Sequence, residues 1–298
     1  MTLTIQDISH NLSQVVAAAG SSVVRVEGRR RGAASGIVWS SGGLIVTANH
    51  VLHRDDNLRV GLGEDRTLDA AIVGRDPSTD LALLKVEAEG LVALPTADES
   101  GMSVGHLALA LGRPGRSVQV TLGIVSALGN SWRTPMGGQV DRYLQTDVVM
   151  YPGFSGGPLI GADGRLLGLN TSGLGQGVSL AIPSGTVARV VESLQSHGRI
   201  RRGYLGVSTQ RVRLPEDVAA QLGQKTGLLI ISVEAGAPAA EAGLSLGDTL
   251  LSLGGTAITR HEDLLAALSG DAVGQKEAAQ ILRGGRVEEV IIKIGERE

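Results

Sequence analysis

Residues 151–159 read YPGFSGGPL and place Ser155 inside a run of glycines. Glycines on both sides of a serine let the backbone turn sharply and keep Cβ atoms away from an incoming substrate. A serine on such a turn presents its hydroxyl, and the N–H groups of Gly153 and Ser155 can point at one spot beside it. That arrangement is typical of a nucleophile with an oxyanion hole. Taken alone, the stretch also fits an ordinary turn, because Gly-Ser-Gly turns are common in β proteins.

Two upstream stretches supply the partners that a serine nucleophile needs. Residues 44–52 (LIVTANHVL) form an apolar segment that ends near His50, and residues 75–86 (RDPSTDLALLKV) place Asp80 after a proline-containing turn. A serine hydroxyl attacks poorly without an adjacent base, and an aspartate can fix the tautomer of that base. The chain order His, Asp, Ser is that of chymotrypsin-type proteases and differs from the orders in subtilisin and α/β-hydrolases. The sequence therefore predicts a catalytic triad of His50, Asp80 and Ser155.

Five motifs extend this pattern into a resemblance to a known family. TANHV, DPSTDLALLKV, TLGIVSALG, GFSGGPL and LAIPS occur in the order and close to the spacing of the HtrA/Deg serine proteases, and RGYLGV opens a region that resembles their PDZ domain. The resemblance implies an ATP-independent serine endopeptidase that degrades misfolded or unfolded proteins. It also implies a PDZ domain that binds peptide C-termini for regulation or tethering, and a homo-oligomer, expected to be a trimer.

The segments between the motifs indicate a mainly β fold. Short, β-branched stretches broken by glycine or aspartate predict an all-β barrel or sandwich. The resemblance implies a chymotrypsin/trypsin-like double β-barrel, with the site in the cleft between the barrels, followed by a C-terminal α+β PDZ domain. The predicted divisions are a helical N-terminal segment over residues 1–20, the protease domain over 21–198, a linker over 199–203 and the PDZ domain over 204–298.

Local signals refine this outline at two places. Residues 184–198 have the spacing of an amphipathic helix, for which Ser184 is the predicted N-cap and Gly198 the predicted C-cap. Residues 129–138 are polar and rich in glycine and are interpreted as a surface loop.

Two residues beside the nucleophile depart from the family pattern. The family usually has asparagine directly before the serine and before the preceding proline, where this chain has Phe154 and Tyr151. The large side chain of Phe154 could pack beneath the loop or partly block the site. A blocked site favours an alternative function: a catalytically weak chaperone or scaffold that acts through peptide binding.

The resemblance also assigns residues that would contact substrate. The residues assigned to the primary pocket are Val148, Val149, Met150, Thr171, Ser172, Gly173, Leu174, Ser179, Leu180 and Ala181. None of them is acidic, which favours a small apolar substrate side chain before the scissile bond over Lys or Arg. In the PDZ domain, a loop would hold the peptide carboxylate and a helix would line the side-chain pocket. These residues are Tyr204, Leu205, Gly206 and Val207 in the loop and Leu264, Leu265 and Leu268 on the helix.

Composition excludes several other classes of function. The net charge of −3 over 298 residues does not favour nucleic acid, and the chain has no cysteine for disulfides or thiol chemistry. No metal-ligand spacing appears, so no metal or cofactor is expected.

No segment has the roughly 20 apolar residues of a membrane span. Residues 1–20 lack the pattern of a signal peptide, which predicts a cytoplasmic location, or a periplasmic one if an export segment is missing. The cluster of residues 29–31, all arginine, is interpreted as a solvated loop tip.

Overall fold

The computed structural model describes residues 4–29, 32–63, 65–175, 177–201, 203–268 and 272–296. These fall into two compact units, Met1–Ile200 and Arg201–Glu298. The division between the units lies inside the segment predicted as a linker. Gly203, at the end of that segment, is already part of a strand. Arg30 and Arg31 of the arginine cluster lie outside the described residues.

Six antiparallel strands close into the first barrel of the N-terminal unit, in the order β1-β2-β3-β6-β5-β4. Their side chains are mostly valine, isoleucine and leucine, which pack as an aliphatic core because the chain has a single phenylalanine. The strands are β1 Val23–Glu27, β2 Ala34–Val38, β3 Leu44–Ala48, β4 Leu58–Leu62, β5 Arg66–Asp76 and β6 Leu81–Val86.

The second barrel closes in the order β11-β14-β13-β12-β7-β8. Its strands are β7 Leu107–Gly112, β8 Gln119–Gly129, β11 Tyr143–Thr146, β12 Pro158–Gly161, β13 Leu166–Thr171 and β14 Ser179–Pro183. The double barrel and the mainly β fold class predicted from the sequence are thereby confirmed. Between β8 and β11 the chain forms a small hairpin of β9 Trp132–Arg133 and β10 Gln139–Val140.

That hairpin corrects the interpretation of residues 129–138 as a simple surface loop. The hydroxyl of Thr134 is buried and donates a hydrogen bond of 2.6 Å to the carbonyl oxygen of Ser78. Gly138 lies so close to Ser78 that a Cβ on the glycine would be 2.3 Å from the same oxygen. The segment is therefore anchored against the turn that precedes Asp80.

Two helices complete the N-terminal unit. Helix α1, Ile5–Gly20, begins with a capping box between Thr4 and Asp7 and packs its apolar face, which includes Leu12, Val15 and Val16, on the main core. Helix α2, Ser184–His197, ends at Gly198 in the left-handed conformation, as expected for its C-cap. The predicted N-cap is wrong. Pro183 occupies that position, and the Ser184 hydroxyl instead donates to Glu99 Oε1 at 2.7 Å, because a carboxylate is a stronger acceptor for it there.

The C-terminal unit is an α+β sheet domain. Its main sheet runs in the order β16-β17-β18-β20-β21, and β19 pairs with β18, while β15 and β22 form a separate short pair. Helices α3 Glu216–Leu222, α4 Pro238–Glu241 and α5 His261–Ala267 connect the strands. The strands are β15 Gly203–Tyr204, β16 Val207–Arg213, β17 Thr226–Val233, β18 Thr249–Leu253, β19 Thr256–Ala257, β20 Lys276–Arg283, β21 Arg286–Lys293 and β22 Gly295–Glu296. Within the described part of the chain, no helix is long and apolar enough to cross a membrane.

Candidate active site

The histidine and the aspartate of the predicted triad are directly paired in the N-terminal unit. His50 lies in a single turn of 3₁₀ helix that follows β3, and Asp80 directly precedes β6. One carboxylate oxygen of Asp80 accepts the backbone N–H of His50 at 2.8 Å, and the other lies 2.7 Å from His50 Nδ1. The carboxylate thus holds both the backbone and the ring of the histidine, which leaves Nε2 as the nitrogen facing the nucleophile.

Thr171 adds a third contact to this carboxylate. Its hydroxyl donates to Asp80 Oδ2 and accepts the N–H of Gly173 at 2.9 Å. Asp80 is only 4% exposed, and burial of a carboxylate without such hydrogen bonds would be unfavourable. Gly173 packs so tightly against the pair that a Cβ on it would lie 2.6 Å from Asp80 Oδ2 and 2.9 Å from His50 Nδ1.

A rigid turn positions Asp80. Its backbone has φ +60°, a left-handed conformation that aspartate and asparagine tolerate better than most residues. The buried carboxylate of Asp76 stabilises this turn by accepting hydrogen bonds from the hydroxyls of Ser78 and Thr79, each at 2.5 Å. The Asp80 carbonyl in turn accepts the N–H of Asn49 at 2.9 Å, next to the histidine. Proline and polar residues before the strand therefore serve to fix the triad aspartate.

Ser155 lies in the loop that leads into β12, and Ser172 lies beside it. Ser155 Oγ is 3.1 Å from Ser172 Oγ, and Ser172 Oγ is 3.4 Å from His50 Nε2. Among the described residues, Ser172 is the one side chain that forms a hydrogen bond with the Ser155 hydroxyl. The hydroxyl of Ser172 therefore bridges the nucleophile and the base.

The backbone around Ser155 leaves two N–H groups available. The N–H groups of residues 154, 156 and 157 donate to the carbonyl oxygens of Tyr151, Asn170 and Phe154, at 2.8–3.0 Å. Those of Gly153 and Ser155 donate to none in the described part of the chain. These are the two donors predicted for an oxyanion hole. Gly153 also has φ +93°, which requires glycine.

The same loop is fastened to the first barrel through Ser35 on β2. Ser35 Oγ donates to the Gly153 carbonyl at 2.6 Å, and the Ser35 N–H donates to the Ser155 carbonyl at 3.1 Å. Next to Ser155, a Cβ on Gly156 would lie 2.1 Å from the Ser35 carbonyl oxygen, so only glycine fits there. Strands from both barrels therefore hold the serine loop in place.

Phe154 points into the second barrel. Its side chain is fully buried in a cluster with Ala110, Val148 and Leu159, and its ring meets Tyr151 edge-on at 5.8 Å. A Cβ on Gly112 would lie 2.6 Å from the ring. Of the two placements considered from the sequence, the structure has Phe154 beneath the loop, packed in the second barrel.

The residues assigned to the primary pocket divide into three groups. Thr171, Ser172 and Gly173 contact the triad itself, as described above. Val148, Leu180 and Ala181 are buried in the second barrel, and Ser179 Oγ donates to the Val148 carbonyl at 2.8 Å, whereas Val149 is 56% exposed and Met150 is partly buried. Leu174 packs against the main hydrophobic core.

A groove in the C-terminal unit brings together all seven residues predicted for peptide binding. This groove has a volume of about 490 Å³ and lies between β16 and α5. Because β16 is at the edge of its sheet, a peptide could add beside it as a further strand. Gly206 has φ +74°, and a Cβ on it would lie 2.1 Å from that of Ala237, which explains the glycine of the loop.

Sequence reasoning missed two polar residues of this groove. Glu234 accepts a hydrogen bond from the Tyr204 hydroxyl, and His261 Nε2 lies 2.9 Å from the Thr209 carbonyl oxygen. The position of His261 as the first residue of α5 was the available signal. In the described residues, no group of three or more His, Cys, Asp and Glu side chains is arranged to hold a metal ion.

Comparisons with known proteins agree with this architecture. The family model for a trypsin-like peptidase domain matches residues 34–169, and that for a PDZ domain matches residues 203–294. A protein of Pseudomonas putida named "Probable periplasmic serine endoprotease DegP-like" is 38% identical over 269 residues, which cover 88% of this chain and 55% of that protein. A Synechocystis protein named "Putative serine protease HhoB" is 34% identical over 279 residues, covering 90% of this chain and 67% of the relative.

Solved structures show the same likeness. The chain is 32% identical to the "HtrA-type protease AlgW with tripeptide", with a TM-score of 0.77 over 96% of this chain and 97% of that one. It is 30% identical to the serine endoprotease from Yersinia pestis, with a TM-score of 0.78 over 96% and 98% of the two chains. This chain spans about half the length of the Pseudomonas relative, so its sequence matches only part of that protein.

Proposed function

Because the chain belongs to the HtrA/DegP family of serine proteases, with a trypsin-like peptidase domain and a PDZ domain, we propose that it is a serine endopeptidase. Its substrates would be unfolded or misfolded proteins. The observation that carries this proposal is the pairing of His50 with Asp80 beside Ser155. The PDZ domain implies peptide binding, and we extend this to the C-termini of peptides.

The geometry supports a sequence of steps for peptide-bond cleavage. Ser155 Oγ attacks the carbonyl carbon while His50 Nε2 takes its proton, and Asp80 stabilises the imidazolium that forms. The oxygen of the tetrahedral intermediate accepts hydrogen bonds from the N–H groups of Gly153 and Ser155. His50 then gives the proton to the leaving amine, and water releases the acyl group by the reverse steps. For a direct proton transfer from Ser155 to His50, Ser172 must first lose its contact with one of these two residues.

The pocket supports an apolar preference before the scissile bond. Val148, Leu180 and Ala181 provide aliphatic surface on the second barrel, and no acidic residue stands among the ten assigned positions. A lysine or arginine side chain would therefore bury its charge without a partner, which is unfavourable. Val, Ala, Ile or Leu is the side chain that we expect at this position.

An oligomer is part of the proposal. The first turn of α1 exposes Ile5 (86%) and Ile8 (39%), although the following turns pack on the core. Apolar side chains at the start of a helix that is otherwise packed are suited to contact another subunit. We expect a trimer, as in the family, which light scattering after size-exclusion chromatography would measure.

A second candidate function follows from the contact between Ser155 and Ser172. If that contact keeps the nucleophile away from His50, the protein would be a catalytically weak chaperone or scaffold that acts through its peptide-binding groove. Phe154 does not by itself support this candidate, because its side chain is fully buried among aliphatic residues of the second barrel.

Cleavage of an unfolded protein separates the two candidates. Casein would be incubated with the wild type, with Ser155→Ala and with the control Ser196→Ala, whose serine is exposed at the end of α2. Each would be tested with and without a peptide that has a hydrophobic C-terminus. We expect cleavage by the wild type and the control only, with the peptide raising the rate if the PDZ domain regulates the protease. Equal cleavage by Ser155→Ala would refute the triad, and peptide binding without any cleavage would favour the chaperone.

The cytoplasmic location predicted from residues 1–20 is wrong. Relatives from Pseudomonas putida and from Marinomonas are named periplasmic endoproteases, which points to an extracytoplasmic location. The physical reason for the error is the role of this segment. Residues 5–20 form α1, whose sequence reflects its packing on the protease core and carries no information about the compartment.

A further inference from the structure

A cleft rich in arginine lies in the N-terminal unit, away from the primary pocket. It is open, has a volume of about 800 Å³ and is lined by four arginines and one acidic residue. The charged residues are Arg25, Arg29, Arg54, Arg116 and Glu27, and the remaining lining is Gly32, Ala33, Pro114 and Gly115. The lining therefore carries an excess of positive charge, although the whole chain has a net charge of −3.

This cleft adjoins the loop that carries the oxyanion donors. A Cβ on Gly153 would lie 2.6 Å from the Cβ of Pro114 and 2.8 Å from the carbonyl oxygen of Ala33, and both of these residues line the cleft. The segment after His50 reaches the cleft from the other direction. There the N–H of His53 donates to the Gly28 carbonyl at 2.9 Å, so Arg54 and Arg29 directly follow two paired residues.

The chemistry of acyl transfer indicates which part of a bound substrate would lie against the arginine-rich cleft. His50 must give its proton to the leaving amine, so the residues after the scissile bond lie on the side of the histidine. The acyl part lies on the opposite side of Ser155, against Val148 and Ala181 of the second barrel. Arg29 and Arg54 are next to the segment of His50 and therefore flank the leaving-group side.

Two of the arginines keep an Nε donor that no group in the described part of the chain accepts, although Arg54 Nη2 donates to the Glu27 carbonyl oxygen at 3.2 Å. The Nε atoms of Arg29 and Arg54 are buried and have no hydrogen-bond partner among the described residues. Arg25, in contrast, is paired with Glu27 at 2.8 Å, and Arg116 is mostly exposed, 3.9 Å from Asp65. A buried guanidinium N–H without an acceptor is unfavourable, and a carboxylate is the acceptor that matches its planar, forked geometry. Arg29, interpreted from the sequence as part of a solvated loop tip, is therefore partly buried.

We propose that this cleft binds acidic side chains of the substrate within the first few residues after the scissile bond. The inference rests on the proposed protease function and adds a preference on the leaving-group side of the same site. Arg29 and Arg54 would supply the charge-assisted hydrogen bonds to the carboxylate. The protein would then select segments in which a small apolar residue is followed closely by aspartate or glutamate.

Peptides that differ only in charge test this proposal. A quenched fluorescent peptide with valine before the scissile bond would carry glutamate, glutamine or lysine at the second and third positions after it. We expect kcat/KM for the glutamate peptide to exceed that for the glutamine peptide about three- to tenfold, with the lysine peptide lowest and the difference shrinking at high salt.

Variants in the cleft locate the effect. Arg54→Gln should lower kcat/KM for the glutamate peptide more than for the glutamine peptide, whereas Arg54→Glu should reverse the preference in favour of lysine. Arg165→Gln removes the same charge from an exposed site outside the cleft and should leave the order of the three peptides as in the wild type.

Different results would overturn the arginine subsite and the protease function. Equal cleavage of all three peptides by the wild type would overturn the arginine subsite and leave the protease function standing. An equal loss on all three peptides in Arg54→Gln would overturn the subsite as well. If no peptide is cleaved and Ser155 is not labelled by a serine-directed reagent, the protease function itself fails, and the subsite fails with it.

Discussion

Ser172 Oγ lies 3.1 Å from Ser155 Oγ, between the nucleophile and the histidine predicted to activate it. The longer contact of Ser172 to His50 Nε2, 3.4 Å, is weak by the usual criteria for hydrogen bonds. The bridge therefore competes with a direct contact between Ser155 and His50. It describes a resting arrangement that must rearrange before attack.

Removal of the bridging hydroxyl should increase activity. In Ser172→Ala, Ser155 loses this partner and can donate directly to His50. A hydrogen bond contributes about 0.5–1.5 kcal/mol net, so we expect kcat/KM on a fluorescent peptide to rise about two- to tenfold. A fall of tenfold or more would contradict this account and would show that Ser172 relays the proton. Ser196→Ala is the matched control for the loss of a serine hydroxyl.

The charge of Asp80 can be removed without disturbing its backbone. Its φ of +60° suits asparagine, so Asp80→Asn should fold normally, whereas alanine would also strain the turn. The asparagine amide cannot stabilise a protonated His50, and kcat should fall about 10⁴-fold with KM nearly unchanged. Steady-state kinetics of the purified variant would measure both constants. A loss smaller than about tenfold would contradict the role of Asp80 in stabilising the protonated His50.

Phe154 should contribute mainly to the stability of the serine loop. Phe154→Ala leaves a cavity in the second barrel and should cost about 3–5 kcal/mol, while Phe154→Leu should cost less than half as much. Trp39 and Trp132, the two tryptophans of the chain, are both in the N-terminal unit, so their fluorescence during urea unfolding reports on this unit alone. A cost below about 1 kcal/mol for alanine would contradict the packing described for the ring.

An ion pair in the C-terminal unit should make its stability depend on pH. Burial of Asp248 acts to raise the pKa of its carboxyl, but hydrogen bonds from Arg283 and from the Ser245 N–H, with the positive charge of Arg283, outweigh burial. The pKa of Asp248 therefore lies below its usual value of 3.8. The stabilisation is fully present above pH 3.8 and is lost as the pH falls through the lowered pKa of the folded state.

Asp248→Asn tests this dependence. The variant loses contacts of 2.6–2.8 Å with the guanidinium, and because the Arg283 side chain is 36% exposed we expect a moderate cost of about 1–2 kcal/mol at neutral pH. Hydrogen exchange of β18 and β20 amides measures the free energy of opening of this unit. The difference between wild type and variant should shrink below pH 3.8. A constant difference, or one equal to that of the exposed control Glu289→Gln, would contradict the assignment.

Much of the fold could be predicted because its signals are local. Alternating aliphatic residues gave the strands, and the three triad residues follow or precede strands that are readable in the sequence. Each of these signals lies within about ten residues of the position it predicts. The double barrel and the PDZ domain followed from the same motifs.

The features that the sequence did not reveal depend on contacts between distant segments. Ser184 has the composition of an N-cap, but Glu99, far away in sequence, takes its hydroxyl. Thr134 belongs to a polar stretch that predicts a loop, but its hydroxyl donates to the carbonyl oxygen of Ser78, which is distant in sequence. Ser172 was assigned to the primary pocket because the family resemblance places residues 171–174 there. Its position between Ser155 and His50 requires both barrels to be in place.

Covalent labelling of Ser155 tests the central claim, that His50 and Asp80 activate this serine as a nucleophile. A fluorophosphonate would be added to the wild type, Ser155→Ala and His50→Ala, and the adducts would be located by mass spectrometry. We predict one adduct on Ser155 in the wild type, none in Ser155→Ala, and labelling at least 100-fold slower in His50→Ala. Two results would contradict the account. One is a wild type that cleaves casein but forms no adduct on Ser155 when it is treated with the fluorophosphonate. The other is a rate of labelling that is unaffected by the loss of His50.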